Sequence, residues 1–264
     1  MTSNVIRLGF NRKDTHSLMD GRSYYNGCLA IITLSYLEAL SICTDYLTVR
    51  EHEELQSLRV EKRRHSFLLG RIAAKIALAD FTKEENLKKY EIGRGVFLFP
   101  TVIGEDLSVS ISHSGIYGAA LVGNLEHPVS IDIEKVSDLQ SYLHSVFENE
   151  LELFGSLKLE LNTKYTLLWS AREALGKVLK TGMTLPLEIS SVRAINLLNN
   201  CIQVLFHNFI QYQVLVFCSD QHVLSLACPK NSVPEEEFLQ KIRTALSITD
   251  MVGHSDLENP FGAL

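Results

Sequence analysis

Three short stretches of this 264-residue chain set acids, serines, a histidine and a lysine at spacings that suit phosphate chemistry. In VSIDIEKV, residues 129–136, strand alternation turns Asp132 and Glu134 to one side and Ile131 and Ile133 to the other. Two carboxylates side by side at the end of an apolar strand are costly unless something positive sits between them. A hard divalent cation such as magnesium, which takes oxygen ligands, meets that need. A solvated edge with Lys135 as surface partner also meets it, and the strand alone does not decide.

In LLWSAREALGKVLKTG, residues 167–182, Glu173 and Lys177 are four apart and share a helix face. They could form an ordinary surface pair. Yet Trp169, the only tryptophan in the chain, is also four from Glu173, and Ala171, Ala174 and Gly176 are small enough to admit a neighbour. Glu173 then fits a third metal ligand or a general base, and Lys177 a point charge on a phosphate oxygen. In SVSISHSG, residues 108–115, Val109, Ile111 and His113 take one face and Ser108, Ser110 and Ser112 the other. His113 reads either as a satisfied core histidine or, with Ser112, Ser114 and Gly115 beside it, as part of a phosphate-friendly turn. A basic run, RVEKRRHSFLLGRIAAK at 59–75, holds six Lys or Arg and one acid. Arg63 and Arg71, eight apart, fall on roughly one side of a helix and could clamp a phosphate; a solvated face is the plain alternative.

The elements that must position these groups fall into two similar sets. A strand at Cys28–Leu34, a long helix over about 61–81 and short strands from 90 to 133 make the first. Helical stretches at 148–154 and about 162–180, strands from 189 to 227 and a final helix over 234–246 make the second. Thr181-Gly182 is read as the stop of the second long helix. The expected fold is α+β, two pseudo-symmetric halves, each a long helix packed on an antiparallel sheet. The boundaries are a polar lead-in at 1–27, halves at 28–134 and 135–230, and a helix and tail at 231–264. A ligand would sit at the seam.

Composition narrows the classes. There are 31 Asp and Glu against 25 Lys and Arg, a net charge of −6, which argues against a general nucleic-acid binder. No phosphate-binding P-loop, dinucleotide fingerprint or serine-hydrolase elbow is present. The five cysteines include no C-x-x-C pair and read as buried hydrophobes of a reducing compartment. The N-terminus lacks a signal-peptide core, and the longest apolar run, broken by Thr33, Ser35 and Glu38, is too short to cross a bilayer. A cytoplasmic protein without a membrane partner is expected.

In this order, VSISHSG, VSIDIEK and LLWSAREALGKVLKTGMTLPLEISSVR, the segments resemble the 4′-phosphopantetheinyl transferases of the Sfp type. That family carries a (V/I)-(G/S)-(I/V)-D-x-E strand and, some forty residues on, a W-S-x-(K/R)-E-(A/S)-x-x-K helix; here Asp132 and Glu173 are 41 apart. The resemblance spans about 50–228. It implies Mg-dependent transfer of the phosphopantetheine arm of coenzyme A to a serine of an acyl or peptidyl carrier protein, with release of 3′,5′-ADP. It implies magnesium on Asp132, Glu134 and Glu173, Glu173 as the base, Lys177 on the pyrophosphate, and Arg63, Arg71, Ser112 and His113 on the coenzyme A 3′-phosphate. It also implies a monomer. Three departures stand out. Arg172 replaces the commoner lysine before the glutamate. GRGVFLFP, residues 93–100, is all that stands for a Gly-Lys-Pro turn, with Arg94 or Pro100 as its counterpart. Lysines that some members place on phosphate fall near Glu51 and Glu54, with Arg63, Arg64 and Arg71 as substitutes. A non-catalytic coenzyme A- or carrier-binding module on the same fold is the alternative; a metal-dependent nucleotide hydrolase is a third.

Overall fold

Period-two patterning sets the layers. In the computed structural model, which describes residues 2–13, 22–137 and 147–255, β1 (Thr2–Lys13) and β2 (Arg22–Thr33) pair antiparallel along their whole length. Three helices follow: α1 (Tyr36–Tyr46), α2 (Val49–Ser57) and α3 (Glu61–Thr82). A small hairpin of β3 (Ile92–Arg94) and β4 (Pro100–Val102) leads to β5 (Leu107–Ser114) and β6 (Tyr117–Asn124). Then come β7 (Ser130–Lys135), a 3-10 segment at Glu148–Phe154, and α4 (Leu161–Val178). Strands β8 (Val192–Leu197), β9 (Ile202–Phe206), β10 (Tyr212–Cys218), β11 (His222–Pro229) and β12 (Ser232–Pro234) precede α5 (Glu236–Ser255). One sheet has the order β12-β1-β2-β6-β5, the other β7-β11-β10-β9-β8.

Alternate residues of each central strand serve two cores. Leu29 and Ile31 of β2, Ala119 and Leu121 of β6, Ile131 and Ile133 of β7, and Leu224 and Leu226 of β11 share one core with Phe238 and Ile242 of α5. The opposite faces hold Ala30 and Ile32 against α3, and Val223 and Ala227 against α4. The protein is therefore α+β, with α3 and α4 each on the outer face of one sheet and α5 packed into the core that the two sheets share. Among the described residues no helix is long and apolar enough to cross a membrane.

The halves repeat in detail. β2 pairs with β6 and β6 with β5; β7 pairs with β11 and β11 with β10. A buried glutamate staples each half at matching places. Glu51 accepts from the amide of Ile92 (2.9 Å), meets Lys75 Nζ at 2.9 Å and has Arg71 Nε at 3.7 Å. Glu150 accepts from the amide of Val192 (2.7 Å), and both its carboxylate oxygens accept from Arg172 Nη2, at 2.6 and 2.7 Å. The likeness between Arg71 and Arg172 is thus structural. Lys75 and Lys177 have parted: Lys75 is sealed on Glu51, with a bond to the carbonyl of Tyr90, whereas Lys177 serves the site below.

Several sequence expectations change. Much of the polar lead-in is strand: β1 spans Thr2–Lys13, with Ile6 and Phe10 buried and Arg7 and Asn11 exposed, an alternation hidden by its polar members. Strand β7, placed by sequence at the close of the first half, belongs by hydrogen bonding to the second sheet. The expected strand at 96–99 is a tight 3-10 turn, with Phe97 and Leu98 at positive φ (60° and 63°). The segment 148–154 is a 3-10 helix, and α4 ends at Val178, where Lys180 rather than Gly182 makes the first left-handed turn (φ 58°). Gly176 is needed for contact, not conformation. A Cβ there would stand 2.4 Å from the carbonyl oxygen of Gly182, so its absence lets the turn fold back on the helix.

Candidate active site

The two sheets meet edge to edge at β5 and β7, which have no backbone ladder between them among the described residues. Serine hydroxyls take the place of that ladder. Ser110 Oγ accepts from the amide of Ile131 at 3.0 Å, Ser112 Oγ donates to Asp132 Oδ1 at 2.8 Å, and Ser114 Oγ accepts from the amide of Lys135 at 3.0 Å. Each serine lies two residues from the next, so all three project from one face of β5. A short side chain bearing both a donor and an acceptor is what such a seam requires.

Asp132 is fully buried at its centre. Its second oxygen accepts 2.7 Å from Ser170 Oγ of α4, which is itself 2.9 Å from Ser225 Oγ of β11. Lys177 Nζ lies 2.6 Å from Asp132 Oδ1, 2.9 Å from Ser112 Oγ and 3.8 Å from Glu173 Oε2. Glu134 follows Asp132 on the same face of β7, and Glu173 comes from α4. One carboxylate oxygen from each of Asp132, Glu134 and Glu173 lies within 4.8 Å of the other two. Burial, followed by the charges of Asp132 and Glu173, pushes the Glu134 carboxyl up to about 8. Burial and then Asp132 raise Glu173, with Lys177 opposing. Three crowded acids against one lysine make an all-oxygen donor set with excess negative charge, which fits a hard divalent cation.

His113 points the other way from Ser112, as alternation demands, and is solvent-accessible rather than a core residue. Burial of its surroundings and the Lys177 charge both lower its pKa. It borders a cleft of about 600 Å³ with Lys62, Arg63, Arg71, Arg94 and Gly93. The structure thus brings Arg63, Arg71 and His113 to one cavity. Arg71 reaches it from within, its side chain only 8% exposed and paired with Glu51 and Glu54. One peptide step on β5, from Ser112 to His113, joins the carboxylate cluster to the basic cleft.

Residues 128–227 match the family model of the 4′-phosphopantetheinyl transferase superfamily. Over these residues the chain is similar to the 4′-phosphopantetheinyl transferases. No curated protein matches the chain. The matched segment holds β7, α4 and the strands through β11, hence all three acids and Lys177. The superfamily transfers phosphopantetheine, uses coenzyme A and typically a divalent metal, and acts on carrier proteins.

Sequence reasoning gave Ser110 and Ser170 no role and read Ser114 as part of a phosphate-friendly turn rather than of a seam. The period-two run S-V-S-I-S-H-S carries the signal for Ser110 and Ser114. Ser170 is visible only as the serine of the W-S pair; its tie to Asp132 depends on how α4 crosses β7. Arg172, carried as a conserved charge beside Glu173, is buried against Phe147 (4.7 Å) and Glu150 and faces away from the acids.

Proposed function

We propose that this protein transfers the 4′-phosphopantetheine arm of coenzyme A to a serine hydroxyl of an acyl or peptidyl carrier protein, releasing 3′,5′-ADP. The observation that carries the reading is the union, across one strand, of a three-carboxylate and lysine cluster with a cleft lined by cations. A pyrophosphate ester needs the first at its reacting phosphorus and the second at its terminal phosphate.

Magnesium on Asp132, Glu134 and Glu173 would supply charge neutralisation of the pyrophosphate. Glu173 takes the proton of the carrier serine hydroxyl as its oxygen bonds to the phosphorus bearing pantetheine. The bond from that phosphorus to the bridging oxygen breaks, and the electron pair leaves on 3′,5′-ADP. Lys177 meets the developing charge with its ammonium group, held in place by Ser112 and Asp132. His113, Arg63 and Arg71 bind the 3′-phosphate, and Arg94 stands in for the Gly-Lys-Pro lysine. Both halves contribute to the site in one chain, which supports a monomer; five free cysteines support a cytoplasmic setting.

The test is intact mass spectrometry of a panel of carrier proteins incubated with the enzyme, coenzyme A and magnesium. A gain of one phosphopantetheine group is expected, lost in Glu173→Gln while coenzyme A binding remains. Binding of carrier or coenzyme A without transfer on every carrier would favour a non-catalytic module. Release of 3′,5′-ADP without a carrier would instead identify a nucleotide hydrolase.

A further inference from the structure

Two of the four Lys and Arg side chains lining the basic cleft are already engaged. Arg71 Nη2 lies 3.5 Å from Glu54 Oε2, and Arg94 Nη2 donates to Glu54 Oε1. Glu54 comes from α2 and reaches Arg94 from outside the cleft, where a second depression is lined by Glu51, Glu53, Glu54, Glu91 and Arg94. Arg94 borders both cavities and is drawn toward the acidic one. Its side chain is 47% exposed, whereas that of Arg71 is only 8% exposed. One carboxylate shared by two guanidinium groups is the arrangement a phosphate makes when arginines grip it.

We propose that Glu54 is an internal competitor for the 3′-phosphate of coenzyme A, occupying Arg71 and Arg94 until that phosphate displaces it. This rests on the coenzyme A reading above and adds a specificity-determining residue to it. A phosphate dianion carries more charge than the carboxylate and wins the exchange, but part of its binding energy is used to release Arg94 from Glu54. Ligands with the 3′-phosphate bear this cost, and ligands without it do not. Because 3′,5′-ADP keeps the same phosphate, Glu54 also hastens departure of the product.

Calorimetric titration of the full-length protein and Glu54→Gln with coenzyme A, dephospho-coenzyme A and 3′,5′-ADP tests this. The variant should bind coenzyme A and 3′,5′-ADP about five- to tenfold more tightly, with dephospho-coenzyme A unchanged within about twofold. Equal tightening of all three ligands, no change, or weaker coenzyme A binding would overturn the proposal, the last marking Glu54 as a support for the arginines. If melting shows Glu54→Gln to be misfolded, Glu54→Asp, which keeps the charge but is too short to span both guanidinium groups, should give a smaller tightening of the same two ligands; none would overturn it. Failure of wild type to bind either coenzyme would sink the functional reading itself, whereas binding without a Glu54 effect sinks only this inference.

Discussion

Lys177 Nζ is 2.6 Å from Asp132 Oδ1 but 3.8 Å from Glu173 Oε2, so the only lysine in the acidic cluster is committed to the most buried acid. Glu134 has no cation at ion-pair distance among the described residues, and its carboxyl is held up at about 8. Glu134 and Glu173, the two carboxyl groups nearer solvent, therefore keep the oxygens that an incoming cation would meet.

Magnesium binding at the proposed site should carry a pH dependence from this arrangement. In the metal-free protein Glu134 keeps its proton at neutral pH, and a bound cation must release it. Magnesium affinity should rise as pH approaches about 8 and level off above it, with proton release visible as buffer-dependent heats in calorimetry. Stability follows the same group. Folding raises this acid from 4.5 to about 8, so the folded state holds the proton more tightly and metal-free stability falls as pH rises through that window. Melting temperatures at about pH 6 and about pH 9 should differ in that sense, and Glu134→Gln should remove much of the difference. A wild-type melting temperature that rises over the same interval would refute the assignment.

The serine seam separates stability from chemistry. Ser110→Ala leaves the buried amide of Ile131 without its 3.0 Å acceptor and should cost about 1–3 kcal/mol in urea unfolding, with transfer by the folded fraction near wild type. Asp132→Ala removes a proposed metal ligand and also strands Ser112, Ser170 and Lys177, so loss of activity should come with a lowered melting temperature. Glu173→Gln should lose activity alone. Identical melting of Asp132→Ala and wild type would show that the seam does not depend on this carboxylate.

Arg172 tests whether the glutamate staples hold the halves. Removing one partner of a buried, hydrogen-bonded ion pair costs on the order of 3–5 kcal/mol, so Arg172→Ala should be among the most destabilising single changes in the chain. Arg172→Lys keeps a charge for Glu150 but loses the bond from Nη1 to the carbonyl of Leu168, and should fall between. Chemical denaturation gives both values. If Arg172→Ala keeps wild-type stability yet loses transfer, the residue acts in the chemistry instead.

Much of the site was legible because its residues lie on regular elements. Asp132 and Glu134 share a face through the period of a strand, and Glu173 and Lys177 through that of a helix; both periods hold wherever the elements pack. The repeat of halves was visible as an order of elements, though weakly in residues, because packing needs only matching apolar periods. What failed was local where polar residues masked a period, as in β1, or where a tight turn forced Phe97 and Leu98 to positive φ against their usual preference. Arg71 and Arg172 could be located but not understood, since their partners Glu51 and Glu150 lie 20 and 22 residues earlier in the chain.

The sequence by itself determined which groups carry charge and which neighbours share a face: the strand acids, the helix acid with its lysine, and the alternation of serine and histidine along β5. Only the tertiary structure decided that β5 and β7 meet at an unpaired edge, that the serines close it, and that Glu54 reaches both Arg71 and Arg94. Facing direction is a local property of backbone geometry. Partnership across a seam is set by how two sheets and two helices pack, which no periodicity encodes.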